Sequence, residues 1–262
     1  MPLAIFTLVH RELVRFFRQR NRVMGALGQP LLFWLLFGFG LRGSFQPQAA
    51  AGASYMEYFF PGVLAMILLF TAIFSTISII EDRREGFLQS VLVAPLPRSA
   101  LIAGKLLGGT ALAMLQGALF LPLALTQPGL SLNAHNVICL LGAMFLVSFA
   151  LTGLGFVIAW RSESTQGYHA IMSICLFPMW LLSGAFFPDA GSPPLLHWIM
   201  QLNPLTYGVA LLRHALYSGA ERSGGAEEPG PGLALAVTLA FALATFLLSH
   251  AVAGRRVSGD LL

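Results

Sequence analysis

Charged residues are scarce in this sequence. Only 10% of its 262 residues are Asp, Glu, Lys or Arg, whereas 56% are hydrophobic. Soluble domains carry about a quarter charged residues, so this composition excludes an ordinary water-exposed surface. The mean hydropathy of +0.76 points the same way. We therefore predict an integral membrane protein, one helical bundle without an appended soluble domain.

Cysteine is almost absent as well. Cys139 and Cys175 are the only two, and they fall at different depths of predicted membrane spans. A disulfide requires Cα atoms within about 7 Å, so we do not expect these residues to pair. Both are expected to pack as polarizable core residues.

The motifs of common enzymes are missing. The sequence has no His-Glu-x-x-His zinc motif and no Gly-x-Ser-x-Gly elbow. Residues 102–110 contain Gly-Lys, but Ser99 and Leu106 occupy the places where a phosphate-binding loop needs Gly and Ser or Thr. We predict no catalytic residue, no metal site and no cofactor on this chain.

Acidic residues are missing from the middle of the apolar stretches. A proton- or sodium-coupled carrier usually needs ionisable groups there, so this class is disfavoured. Lys105 lies near the predicted inner end of a span, where its side chain is expected to extend to the membrane interface.

Six apolar stretches approach the roughly twenty residues that a helix needs to cross the bilayer core. They are residues 23–41, 58–80, 101–125, 137–160, 170–187 and 232–253. Residues 188–216 form a long outer region that is too polar for a seventh span. We predict re-entrant or interfacial helices there, broken at Asn203-Pro204, because irregular backbone at membrane depth must be satisfied by protein or water. The predicted fold is thus an all-α integral membrane protein with six transmembrane helices.

The basic residues predict the orientation. If both termini are cytoplasmic, twelve of the fifteen Lys and Arg residues lie inside. The net charge of +4 then reflects membrane topology, and nucleic-acid binding need not be invoked. Residues 23–253 are predicted to form the transmembrane domain, and residues 254–262 a cytoplasmic tail.

Residues 1–22 predict an amphipathic interfacial helix. Its apolar side carries aromatic residues, and Arg11, Arg15 and Arg18 lie on the other side. We expect these arginines to lie near anionic headgroups of membrane lipids. A signal peptide is excluded because the apolar stretch precedes the positive charges. The alternative is a simple orientation anchor.

Gly104 and Gly108 form a Gly-x-x-x-Gly pair at the start of the third span. Small residues at this spacing allow close helix packing. The motif is common by chance, so it names no particular partner helix.

Five charges, from Glu81 to Glu85, follow the second span. The next residues form a helical pattern in which Phe87, Leu88 and Val91 share a face, and Arg84 and Glu85 lie elsewhere. Prolines end the pattern. A short helix over residues 84–92 is suited to docking into a cytoplasmic partner, and an orientation signal with a solvated charge run explains the charges equally well.

The stretch EDRREGFLQSVLVAPLPRSALIAGKLL resembles the signature of the ABC-transporter type-2 permease family. That signature has an acidic residue, Arg-Glu-Gly, Leu-rich residues, a Pro-Leu-x-Arg turn and a Gly-Lys that opens the third span. The stretches YFFPGVLAMILLF and LNPLTYGVALLRHAL agree with it. The similarity covers nearly the whole chain.

The resemblance implies the membrane subunit of an ATP-driven exporter in a bacterial cytoplasmic (inner) membrane. Two copies of the permease, identical or different, would join two ABC ATPase subunits, which bind the ATP and Mg. The cytoplasmic coupling helix at residues 84–92 would fit a cleft on the ATPase. The coupling residues so implied are Glu81, Arg84, Glu85, Gly86, Phe87, Leu88 and Val91. Phe87 replaces a small residue common in the family, which suggests a more apolar docking contact.

Members of that family export drugs, lipids and lipid-linked glycans. The apolar, aromatic spans favour a lipophilic or amphipathic substrate that enters from the bilayer. Two alternatives remain: an ATP-independent secondary transporter or channel, and a membrane scaffold of an assembly.

The tripeptide Phe-Phe-Pro occurs twice, at Phe59-Phe60-Pro61 and Phe186-Phe187-Pro188. Both copies fall at the predicted outer end of a span. In the resembling family the second and fifth spans of two copies face each other, so these phenylalanines are candidates for an apolar outer gate. The alternative is an interfacial aromatic belt, a role that favours Trp and Tyr.

Overall fold

The computed structural model describes residues 2–18, 20–40, 55–93, 97–126, 133–187, 193–217 and 228–254. These residues form eleven α-helices and no β-strand, which confirms the all-α prediction. The helices are α1 (Pro2–Arg18), α2 (Arg20–Gly40), α3 (Tyr55–Ser75), α4 (Ile77–Arg84), α5 (Phe87–Val93), α6 (Arg98–Phe120), α7 (Ala134–Arg161), α8 (Thr165–Trp180), α9 (Pro194–Leu202), α10 (Pro204–Leu216) and α11 (Pro231–Gly254). A 3₁₀ segment, Leu121–Thr126, extends α6, and a π segment, Leu181–Ala185, extends α8.

Among the described residues, five helical runs are long and apolar enough to cross a membrane. They are Tyr55–Arg84, Arg98–Thr126, Ala134–Arg161, Thr165–Ala185 and Pro231–Gly254. The chain is therefore an all-α integral membrane protein. The first predicted span falls in α2, whose shorter apolar part is Gly28–Gly40, so the count of six remains a prediction. Parts of these predictions lie outside the described residues: residue 41 of the first predicted span, residues 188–192 of the outer region and residues 255–262 of the tail.

The helix α3 lies at the centre of the bundle. It packs against α2, α6, α7, α8 and α10, and its middle, from Val63 to Leu69, is completely buried. A helix that is apolar on all sides belongs in such an interior position. The helix α11 is different: its small residues, such as Thr245 and Ser249, face α7, while Leu239 and Leu243 are exposed. Small residues inside and large ones outside are typical of membrane helices.

The predicted break at Asn203-Pro204 separates α9 from α10 in the structure. The side chain of Asn203 accepts a hydrogen bond from the amide of Leu205 at 3.0 Å, which caps α10. Its amide group donates to the carbonyls of Met179 at 2.6 Å and Leu182 at 3.0 Å. One side chain thus starts α10 and satisfies carbonyls at the end of α8.

Arg213 of α10 is buried near the start of α3. It is 4% exposed, forms an ion pair with Glu228 and donates to the carbonyl of Gly184 at 3.2 Å. Its guanidinium also lies 4.5 Å from the ring centroid of Tyr58. This pair joins α10, the end of α8 and the segment before α11.

The expectation that the two cysteines do not pair is confirmed, but the expectation that they pack in the core is wrong. Cys139 and Cys175 are free and exposed. The core-facing stripe of α8 is Tyr168, Met172, Leu176 and Trp180, and Cys175 lies off that stripe. The same holds in α7, where Leu140 and Met144 are buried. Both thiols therefore face away from the core of this chain.

Candidate coupling site

We call the end of the bundle where α1, α5 and the start of α6 meet the inner end, because the predicted topology places it in the cytoplasm. There α4 ends at Arg84, and the turn Glu85-Gly86 leads into α5. Gly86 has a φ of +74°, a conformation that glycine adopts without a Cβ penalty and that commonly ends helices. The single helix predicted over residues 84–92 is therefore wrong at its start: α5 covers Phe87–Val93.

The implied coupling residues lie close together on the end of α4, this turn and α5, but they face two directions. Arg84 and Glu85 are exposed, with the side chain of Glu85 61% exposed. Leu88 is buried and belongs to the hydrophobic core, and Phe87 and Val91 pack against that core. The remaining two, Glu81 and Gly86, are half-buried.

Phe87 differs from its expected role as an apolar docking contact. Its ring lies 3.7 Å from the guanidinium carbon of Arg11, so it packs against α1 of its own chain. The exposed tip of this region is therefore charged rather than apolar.

Basic side chains fix the end of α4 to the connection between α7 and α8. Arg83 donates to the carbonyl of Trp160 at 2.6 Å and to that of Ser162 at 3.2 Å. Arg84 donates to the carbonyl of Glu163 at 3.3 Å. Cations near the C-terminus of α7 are also favoured by the helix dipole. The turn Glu85-Gly86 is therefore held both by its covalent link to α4 and by hydrogen bonds to the end of α7 and the residues that follow it.

Asp82, one residue before Arg83, is fully buried and accepts hydrogen bonds from three cations. Arg11 donates to both carboxylate oxygens at 3.0 and 2.6 Å, and Arg15 donates at 3.0 Å. Lys105 of α6 binds the same carboxylate. The hydrogen bond from Arg11 to Asp82 raises the pKa of the Arg11 guanidinium above its usual value. This one carboxylate joins α1, α4 and α6.

Two further acids complete this group, which we call the Asp82 cluster: Arg11, Glu12, Arg15, Glu81, Asp82 and Lys105. Lys105 donates to Glu12 at 2.6 Å and to the hydroxyl of Ser78 at 3.1 Å. Arg15 lies 2.9 Å from Glu81.

The structure overturns the expectation that Lys105 extends to the membrane interface, because this side chain is buried. The expectation that Arg11 and Arg15 contact lipid headgroups also differs from the structure, because both side chains bind carboxylates of the protein. Arg18 is exposed, as a headgroup contact requires. One sequence signal pointed to this arrangement: Glu12 lies between Leu8 and Phe16 at four-residue spacing, and all three are buried.

The Gly-x-x-x-Gly pair is the surface on which α1 packs. A Cβ atom at Gly104 would lie 2.8 Å from the Cβ of Leu8, and one at Gly108 would lie 3.1 Å from the Cγ of Glu12. The two glycines thus let α1 approach α6 closely enough for Glu12 to reach Lys105.

A cavity of about 480 Å³ lies beside the Asp82 cluster. It is bordered by α1, α2, α3, α4 and α8. Its lining residues are Phe16, Gln29, Pro30, Met66, Phe70, Thr71, Phe74, Ser75, Ile77, Glu81, Thr165 and His169. The walls are mainly apolar and aromatic, with polar groups contributed by α2, α3, α4 and the start of α8.

The predicted gate phenylalanines separate into two groups. Phe59 lies 5.5 Å from Phe186, and Phe186 lies 4.7 Å from Phe187, between ring centroids. Phe60 instead stacks on Phe120 at 4.8 Å. Phe59 and Phe60 are fully buried, whereas Phe187 is 39% exposed. Only the second Phe-Phe pair therefore presents surface to a second copy or to substrate, and the gate remains a prediction.

Comparison with known proteins agrees with this architecture. The family model described as ABC-2 type transporter matches residues 3–217. Nodulation protein J of Sinorhizobium fredii (strain NBRC 101917 / NGR234) is 26% identical over 239 residues, which cover 90% of this chain and 86% of that protein. The inner membrane transport permease YadH of Escherichia coli (strain K12) is 26% identical over 184 residues, 70% of each chain.

Proposed function

The chain belongs to the ABC-2 type transporter family, and we propose that it is the membrane subunit of an ATP-driven exporter. Its family and its apolar helices make it a multi-pass membrane transporter. The observation that carries the proposal is the turn at Glu85-Gly86, which exposes charged residues while the helices on either side of it are anchored.

This geometry suits the transmission of force. The exposed side chains of Arg84 and Glu85 can meet a partner, and Leu88 ties α5 to the core. Arg83 and Asp82 connect the same segment to α7, α1 and α6. A movement imposed on the turn would therefore reach several helices at once. We assign the turn and α5 as the contact for a separate ABC ATPase.

The same proposal sets the composition of the complex. Two copies of this permease, or one copy with a related chain, would assemble with two ATPase subunits. ATP and Mg would bind to the ATPases, and this chain would contribute no catalytic residue. The membrane is proposed to be a bacterial inner membrane with both termini cytoplasmic, in line with the distribution of basic residues.

The cavity supports a proposal for the substrate class. Aromatic and aliphatic walls formed by Phe70, Phe74 and Met66 suit an apolar body, and Thr165 and His169 offer hydrogen bonds to a polar group. We propose that the exporter moves a lipophilic or amphipathic molecule, such as a drug, a lipid or a lipid-linked glycan. Pockets for such ligands are mostly apolar, with a few polar groups that fix orientation.

Charge reversal at the turn tests the coupling role. Glu85→Arg changes an exposed side chain, and exposed ion pairs contribute only about 0–1 kcal/mol, so the protein should insert and fold normally. Co-purification of the ATPase and its hydrolysis rate in the complex should both fall. Arg161→Gln, which removes a charge at another exposed inner-end position without placing an acid at the C-terminus of α7, is the control and should retain both. Normal recovery and normal transport in Glu85→Arg would contradict the assignment.

A further inference from the structure

The helical run Tyr55–Arg84 is interrupted at Thr76, where α3 ends and α4 begins. The amide of Thr76 donates to the carbonyl of Ile73 at 3.0 Å, and the amide of Ile79 donates to the carbonyl of Thr76 at 3.0 Å. Both bonds join residue i to residue i−3, which is the tighter 3₁₀ pattern. Such a stretch inside a helix often marks a functional hinge.

Tyr168 of α8 holds this break. Its side chain is fully buried, and its hydroxyl donates to the carbonyl of Ile73 at 3.0 Å. The same hydroxyl lies 2.7 Å from the hydroxyl of Thr76. The helix α7 also packs here, since a Cβ atom at Gly155 would lie 2.9 Å from the Thr76 hydroxyl oxygen. A buried hydroxyl requires a partner, and the break supplies one.

The cavity lies directly against this break. Its lining includes the neighbours of Thr76 and of Tyr168, namely Phe74, Ser75, Ile77, Thr165 and His169. The ring of Phe74, just before the break, lies 5.5 Å from the ring of His169, which follows Tyr168 in α8. A molecule in the cavity would therefore touch α3, α4 and α8 at the place where Tyr168 joins them.

Only α4 separates the break from the exposed turn. It has eight residues, about 12 Å at 1.5 Å per residue. It carries Glu81, which lines the cavity, and Asp82, which binds α1 and α6. A change of angle at Thr76 would thus move the turn Glu85-Gly86 together with these contacts.

We propose that the break at Thr76, held by the hydroxyl of Tyr168, is the joint that passes occupancy of the cavity to the turn at Glu85-Gly86. Tyr168 is a positioning residue in this arrangement. The inference rests on the proposed function, because it assigns the cavity to substrate and the turn to the ATPase.

The experiment fills the cavity covalently, so that no natural substrate is needed. Gln29 of α2 lines the cavity and is exposed. In the full chain in lipid nanodiscs, with Cys139→Ala and Cys175→Ala, Gln29→Cys is modified with benzyl methanethiosulfonate. Amide hydrogen exchange of residues 84–93 is compared with and without the label. We expect the label to change the exchange rates of these amides about fivefold. One neutral hydrogen bond changes the opening constant by about this factor.

Tyr168→Phe keeps the ring and removes only the hydroxyl. The label should then alter exchange of residues 84–93 by less than about twofold. Tyr207→Phe is the matched control, because the hydroxyl of Tyr207 in α10 also donates to a backbone carbonyl, that of Gln201 in α9, at 3.0 Å, away from the break. This control should keep the full response. Thr76→Val removes the other hydroxyl and serves as a second variant if Tyr168→Phe fails to fold.

Two results would overturn the proposal. One is an equal response to the label in Tyr168→Phe and in the parent, which would make the hydroxyl a purely structural group. The other is no response of residues 84–93 in the parent. Because exchange is measured without the ATPase, a failed coupling role would appear separately as normal ATPase recovery in Glu85→Arg.

Discussion

Removing the charge of Asp82 should destabilise the protein far more than removing any exposed charge at the inner end. Asp82→Asn keeps the shape of the side chain and takes away the carboxylate that Arg11, Arg15 and Lys105 share. Glu12 then remains as the partner that Lys105 contacts at 2.6 Å. Lys105 is 5% exposed, so water cannot easily replace the lost acceptor.

The magnitude follows from burial. Breaking a buried ion pair by removing one partner costs about 3–5 kcal/mol, because a charge remains buried without compensation. Exposed pairs are worth about 0.2–1 kcal/mol, which is the expected cost of Glu85→Gln. For a protein of this size, the Asp82→Asn loss corresponds to a drop in melting temperature of roughly 10 °C.

The assay is thermal unfolding of the purified chain in one detergent, with Asp82→Asn and Glu85→Gln measured side by side. A double variant, Asp82→Asn with Lys105→Met, should recover part of the loss, because it removes one of three buried or half-buried cations while Glu12 keeps Arg11 as a partner 3.8 Å away. Equal melting temperatures for Asp82→Asn and Glu85→Gln would refute the reasoning. So would a double variant that is less stable than Asp82→Asn alone.

Three further predictions follow from packing and burial. Gly104→Val should weaken the docking of α1 by ~1–3 kcal/mol through overpacking, as increased protease cleavage of α1 would reveal. Gly142→Val, where an added Cβ meets nothing within 4 Å, should leave that cleavage unchanged. Arg213→Gln should cost ~3–5 kcal/mol by leaving Glu228 buried and unpaired, and a melting temperature close to that of the parent would contradict the burial argument. Phe60→Ala should cost ~3–5 kcal/mol, whereas a change in export with unchanged stability would favour the gate role instead.

The helices of this protein could be predicted because their signals are local. Twenty-residue apolar runs specify membrane helices whatever surrounds them. Asn203-Pro204 ends one helix and starts another through its own backbone chemistry. The predicted start of the coupling helix at residue 84 is wrong although its signal is present in the sequence, because Gly86 lies at a helix end rather than inside a helix.

The Asp82 cluster could not be predicted in this way. Asp82 lies 71 residues from Arg11 and 23 residues from Lys105 in the sequence, and only the packing of three helices brings them together. The charges themselves fit a docking helix, headgroup contacts or a solvated charge run equally well, so the sequence alone does not pair them with one another. The glycine spacing at Gly104 and Gly108 predicted a close helix contact, but the partner proved to be α1, a helix assigned to the lipid surface.

The relative strength of these contacts indicates where the inner end can bend. Separating α4 from α1 and α6 would break the Asp82 cluster, at about 3–5 kcal/mol for each uncompensated buried charge. Opening the break at Thr76 would disturb neutral hydrogen bonds of Tyr168 and Thr76, worth only about 0.5–1.5 kcal/mol each. A force applied at the turn Glu85-Gly86 should therefore move α1, α4 and the start of α6 as one body, together with the inner end of α7, which Arg83 binds. The change of angle should occur at Thr76, beside the cavity, because the hydrogen bonds at the break are weaker than the ion pairs of the Asp82 cluster.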